Sequence, residues 1–295
     1  MTYFTQNRRQ FLQATSTIAA ATAVGIGESV AGADEGSTHM PIIYSAIKGG
    51  EIGKDKAAMV ARLKQLKALG FTGVEGGSPG ISNTRALREA VEEVDFPVHG
   101  VVDMVHWKER LSSPNPGSRA TGVAALKRAI RDSYAIGGSS VLLVPGKVSV
   151  DEEKHDHVWQ RSIIEIRKVL PLASRLGIHV LIENVWNGFC EDPAQLRDYL
   201  DEINSPWIGA YFDIGNCRKF GPAEDWVRTL GRRIVKLDIK DWGQKNGFCR
   251  LGEGDVDWPE VQKALVEIGF SGWATREGRD KSLEDTVALT KKLLG

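Results

Sequence analysis

The stretch IVKLDIKDW, Ile234–Trp242, sets an acid between two lysines inside an apolar run. Read as a strand, it turns Val235, Leu237 and Ile239 to one face and Lys236, Asp238 and Lys240 to the other. A carboxylate also closes the short apolar runs FTGVEGG (Glu75), HVLIEN (Glu183), WIGAYFD (Asp213) and GWATREG (Glu277). An uncompensated charge at the end of a buried run is costly. Carboxylates drawn into one small volume repel, and some would have to stay protonated. A divalent metal removes that problem, and Asp238 then reads as a ligand aimed into the interior. Asp241 has the opposite parity and reads as a cap or a pairing partner. Glu75 reads as a substrate contact, or else as a simple cap or one side of a loop salt bridge.

Other polar residues fall at neighbouring strand ends. His99 lies on an apolar strand, where it either packs in a core or touches substrate, and His106 lies in the loop that follows. Asn216 stands three residues after Asp213, where its amide can bind a hydroxyl. Lys240 can bind a substrate oxygen or offset negative charge, whereas Lys236 lies deeper and reads as half of a buried ion pair. Arg250 precedes LGEGD and can anchor a distal hydroxyl or a phosphate. Trp107 and Trp186 either stack on a sugar ring or fill a loop. His155 and His157, in EEKHDHVW, read as a solvated helix start.

The elements that carry these residues alternate. Eight apolar strands, beginning with PIIYSAI and ending with GWATREG, are each followed by a segment of helical periodicity, over about 255 residues. The segment HVWQRSIIEIRKVLPLASRLG reads as one long helix. Eight such units predict a single-domain α/β fold, a closed (β/α)8 TIM barrel over residues 41–295, with its site at the C-terminal strand ends. No GxGxxG follows a strand, which weighs against a doubly wound dinucleotide fold. Residues 1–33 hold Arg8-Arg9, a weakly apolar Ala/Thr-rich run and AGA, the pattern of a twin-arginine export signal, and residues 34–40 form a linker. The expected location is periplasmic or extracytoplasmic, with no membrane contact for the mature form. Lysine plus arginine equals aspartate plus glutamate at 38 each, which weighs against nucleic acid as a partner. Three cysteines without paired spacing read as incidental thiols.

The motifs IENVWN, YFDIGN, LGEGDVDWPEV and GFSGWATREG together resemble the xylose-isomerase-like barrel superfamily of sugar isomerases and epimerases. HWKERLSSPNPGSR and VLLVPGKV also fit its hexulose-6-phosphate isomerase and xylulose-5-phosphate 3-epimerase branch. The resemblance implies a metal held by Glu183, Asp213, Asp238 and Glu277, with the two glutamates as the acid/base pair. It departs from the pattern at Asp238, where the superfamily usually has His, and at Asn216, where some epimerases have a substrate-binding His. An all-oxygen set favours Mn2+ or Mg2+ over Zn2+. The implied activity is metal-dependent isomerisation or epimerisation of a small ketose through an enediolate. Export disfavours a phosphorylated substrate, which leaves two alternatives: a lyase acting on 3-keto glycosides, and a sugar-binding protein without turnover. Barrels of this kind often pair into homodimers.

Overall fold

The computed structural model describes residues 43–49, 52–149, 152–278 and 280–295. The export signal and linker expected over residues 1–40 lie outside them. Eight parallel strands close a barrel: β1 (Ile43–Lys48), β2 (Gly73–Ser78), β3 (Val98–Asp103), β4 (Ser140–Leu143), β5 (His179–Glu183), β6 (Ile208–Asp213), β7 (Ile234–Ile239) and β10 (Gly272–Arg276). β1 pairs with both β2 and β10, which completes the ring. A short antiparallel hairpin, β8 (Asp241–Gly243) with β9 (Gly247–Cys249), follows β7. The eight strands match those expected from the sequence, while the hairpin had no sequence signal strong enough to separate it from a loop.

Helices wrap the barrel: α1 (Lys56–Leu69), α2 (Thr84–Val94), α3 (Pro116–Ile136), α4 (His155–Arg167), α5 (Leu170–Leu176), α6 (Pro193–Ile203), α7 (Ile214–Cys217), α8 (Ala223–Leu230), α9 (Trp258–Glu267) and α10 (Leu283–Leu294). Their starts are set by short polar side chains that accept an otherwise orphaned N–H: Asp55 on α1, Asn83 on α2, Asp192 on α6, Asp257 on α9 and Ser282 on α10. The single helix expected between His157 and Gly177 is two, α4 and α5. Pro171 cannot donate to the helical ladder and its ring crowds the preceding turn, so it starts a new helix.

Alternation sorts the strand residues between two cores. Outward side chains such as Val141, Val180, Ile182, Phe212 and Leu237 pack under the helices in one large apolar cluster. Leu142, Leu181 and Tyr211 form a separate small cluster, on the strand faces that carry Glu183 and Asp213. The interior is therefore filled by side chains, with polar groups in its floor.

Arg276 locks the last strand to the loop behind it. It is buried, donates to the Ile239 and Glu277 carbonyls, and forms two hydrogen bonds with Asp280 at 2.8 and 3.0 Å. Burial alone would push the Asp280 carboxyl up, but its bonds from Arg276 and Thr286 reverse the effect and hold it below the usual carboxylate range. A depressed folded pKa contributes stability above the unfolded value, about 3.9, that is lost as pH falls through the folded value. Asp280→Asn strands the buried guanidinium. It is expected to cost about 3–5 kcal/mol at pH 7, with the gap to the native chain narrowing below about pH 4. Guanidinium unfolding at stepped pH measures both.

Candidate active site

Register brings the acids together. Asp213 on β6 is the ladder partner of Asp238 on β7, and Asp238 is the partner of Thr275 on β10, two residues before Glu277. Adjacent strands lie about 4.8 Å apart, so Glu183, Asp213, Asp238 and Glu277 converge, with one carboxylate oxygen from each lying within 4.8 Å of the others. Glu75, midway along β2, is the ladder partner of Lys48 at the end of β1.

Local hydrogen bonds fix the acids in place. Asp213 caps the one-turn helix α7 by accepting the Asn216 N–H at 2.7 Å. Asn184 clasps the Asp213 backbone, accepting its N–H at 2.8 Å and donating to its carbonyl at 2.9 Å. Asn216 donates to the Asn184 carbonyl at 2.9 Å and reaches Glu183 Oε1 at 3.5 Å. Gly215 lets α7 rest on the segment after β7: a Cβ there would lie 2.5 Å from the Lys240 Cβ.

Two lysines thread the acids. Lys48 Nζ lies 2.7 Å from Asp238 Oδ2, 3.2 Å from Glu277 Oε2 and 3.6 Å from Glu75 Oε2. Lys240 Nζ lies 3.1 Å from both Asp213 Oδ2 and Glu277 Oε1. These are close ion pairs, yet Asp213 Oδ2, both Asp238 oxygens and both Glu75 oxygens have no aligned hydrogen-bond donor. Buried acceptors in this state on Asp213 and Asp238, within a group of four carboxylates whose oxygens lie within 4.8 Å of one another, suit a divalent cation. The donor set is all carboxylate oxygen.

The environment splits the two glutamates. Burial, reinforced by Asp213 and Glu277 against the pull of Lys48, pushes the Glu183 carboxyl up to about 8. Glu277 is partly exposed; burial would raise it too, but Lys48 and Lys240 hold it below its ordinary value. Asp238 is pushed well up by burial and by the surrounding acids despite Lys48. Burial would lower the Lys48 ammonium, but Asp238, Glu75, Glu183 and Glu277 raise it well above the usual lysine value.

The other candidates take varied places. His106 faces the site: burial and Lys48 lower it to about 4, and Nδ1 accepts the Val144 N–H at 3.2 Å, which leaves the ring proton on Nε2. Trp186 donates to the Asn216 carbonyl at 2.8 Å and stacks on Phe248 of the hairpin, ring centroids 4.6 Å apart. Phe248 in turn lies 5.5 Å from Lys240 Nζ, so this aromatic pair borders the acids. Trp107 is exposed beside His106. Two candidates are placed away from the acids. His99 sits near the start of β3, in the barrel floor, stacked on Trp273 and bonded to Lys236 Nζ at 2.8 Å through Nδ1. Lys236 thus has an imidazole partner where an ion pair was expected, and burial lowers it to about 7. Arg250 is taken up by Asp285, at 2.6 Å, and Glu253, on a surface cleft with Leu251, Trp258 and Leu289. Asp241 accepts from the Gly252 N–H and the Trp258 indole, as its parity implied. Lys48 and Phe248 escaped the sequence reading. Lys48 carried the same signal as the acids, a charge closing an apolar run.

A family model described as xylose isomerase-like TIM barrel matches residues 63–293. The L-ribulose-5-phosphate 3-epimerase UlaE of Shigella flexneri is 25% identical over 247 residues, 78% of this chain and 86% of its own. An uncharacterized protein of Methanocaldococcus jannaschii is 26% identical over 196 residues, and the chain spans 62% of its length. Among solved structures, a D-allulose 3-epimerase from Methylomonas sp. has a TM-score of 0.70 at 18% identity, covering 85% of this chain and 96% of that one. The apo 3-keto-D-glucoside 4-epimerase YcjR of E. coli has a TM-score of 0.70 at 14% identity, covering 85% and 99%. At these identities the solved structures share the fold. With the match spanning most of the barrel, the chain belongs to the xylose isomerase-like TIM barrel family.

Proposed function

We propose that the protein is a divalent-metal-dependent sugar epimerase or isomerase that acts on a ketose, with Glu183 and Glu277 as its acid/base pair. One observation carries this reading: two buried or half-buried glutamates in one carboxylate cluster, their proton affinities driven in opposite directions. The 3-epimerases among its relatives support it. A divalent ion held by Glu183, Asp213, Asp238 and Glu277, Mn2+ or Mg2+ for such an oxygen set, would polarise the ketose carbonyl and ease loss of the adjacent C–H proton. Glu277, with Lys240 beside it at 3.1 Å to favour its ionised form, takes that proton to leave an enediolate. Glu183 returns one from its own carboxyl. Return to the opposite face of the same carbon is epimerisation, and return to the neighbouring carbon is isomerisation. His106 Nε2–H and the Asn216 amide orient hydroxyls.

A second reading uses the same base: abstraction beside a 3-keto group, with expulsion of a leaving group, as a lyase on oxidised glycosides. The exposed rings of Trp107, beside His106, and of Phe248, stacked on Trp186 near Lys240, favour keeping it, because aromatic faces bordering the acids can stack on a second sugar ring. We also propose that residues 1–33 direct twin-arginine export, which suits an unphosphorylated or oxidised sugar, and that the chain pairs as a homodimer, which light scattering reads.

Proton NMR in D2O with Mg2+ separates the readings. Deuterium entry on a ketose with a new epimer or aldose supports the first, and entry only on 3-keto glycosides with a released group supports the second. Bound sugar with no exchange makes the chain a binding protein. Glu183→Gln and Glu277→Gln are each expected to slow exchange at least about 100-fold while sugar binding is largely kept. Phe248→Ala is expected to raise KM for a glycoside roughly fivefold with kcat little changed; an equal effect on a free ketose would remove the rim from glycoside recognition.

A further inference from the structure

Five carboxylates, Glu75, Glu183, Asp213, Asp238 and Glu277, share this end of the barrel with Lys48 and Lys240. Lys48 stands apart among them. It comes from β1, which contributes no acid to the cluster, and its ammonium lies on two of the four residues that would hold a divalent ion. Its 2.7 Å contact is with Asp238, a carboxylate whose oxygens have no aligned hydrogen-bond donor and whose side chain is fully buried. We infer that Lys48 is a built-in counter-cation that competes with the divalent ion for Asp238 and Glu277, and so sets how tightly that ion is held. The inference rests on the metal-dependent reading above.

The competition follows from distances. A divalent ion binds carboxylate oxygens at about 2.0–2.5 Å. An ammonium 2.7–3.2 Å from oxygens of the same two carboxylates would then stand roughly 4–5 Å from the ion. Two cations at that separation in a buried site repel strongly. The same ammonium stabilises the metal-free cluster, because without it Asp238, Glu277 and Glu75 face one another with only Lys240 nearby. Lys48 thus favours the empty centre and opposes the filled one. When the ion enters, the ammonium must swing from Asp238 towards Glu75, its ladder neighbour, or towards a substrate oxygen.

The test is calorimetric titration of Mn2+ into the full chain, stripped with chelator, and into Lys48→Met and Lys48→Arg. Lys48→Met is expected to bind Mn2+ at least about tenfold more tightly, to melt lower without metal, and to gain more in Tm when Mn2+ is added. Lys48→Arg, which keeps the charge, should stay within about threefold of the native affinity. Equal or weaker Mn2+ binding by Lys48→Met overturns the inference and leaves the metal site standing. Absence of Mn2+ binding by both the native chain and Lys48→Met removes the metal-dependent reading and this inference with it. Should Lys48→Met fail to fold, a crystal structure of the native chain with Mn2+ decides: Lys48 Nζ beyond 4 Å from Asp238 Oδ2 supports competition, and an unmoved ammonium refutes it.

Discussion

Like charges crowded at one end of a barrel are the constraint around which this molecule is arranged. Two carboxylates 4 Å apart repel by about 4 kcal/mol even at an effective dielectric of 20, and here five are gathered, most of them fully buried. The cluster is held by cations and by protons. Lys48 and Lys240 reach five contacts with four of the acids. Glu183 and Asp238 respond by binding protons more tightly, while Glu277, flanked by both ammoniums, becomes more acidic. The same crowding that must be compensated for the chain to fold therefore drives the proton affinities of Glu183 and Glu277 in opposite directions.

The scaffold supplies the precision. Closure of eight parallel strands sets the register that puts Asp213, Asp238 and Thr275 side by side, and the Asn184 clasp and the α7 cap keep Asp213 from turning away. Arg276 secures the far side by tying Glu277 and the loop behind it to Ile239 and Asp280. Beneath the acids, Lys236, His99, Thr275 and Tyr211 form a hydrogen-bonded floor, with 2.7 Å between the Thr275 and Tyr211 hydroxyls. Above them, the hairpin leans Phe248 on Trp186 and gives the mouth an aromatic wall.

Periodicity alone carried much of this. Strands of the right length, a carboxylate closing four of them, and the βα alternation sufficed to expect a barrel whose last four strands present Glu183, Asp213, Asp238 and Glu277, and the structure brings those four together. Side-chain alternation is a local property of the backbone, so the face of Asp238 could be read from its neighbours. The break at Pro171 was legible in principle, since proline's missing N–H is a local fact, yet the apolar pattern ran through it.

Partners were not legible, because a partner is set by which strands become neighbours and at what depth. Lys48 ends a strand like the acids, but its role appears only when closure of the barrel places β1 between β2 and β10, within reach of Asp238 across the mouth. His99 and Arg250 bear chemistry-capable groups, yet depth along β3 sends one to the floor and the packing of α10 gives the other to Asp285. Charge type and spacing along the chain are written in the sequence. The distances between charges, which decide who neutralises whom, come only from tertiary closure, since electrostatic energy depends on separation in space and not along the chain.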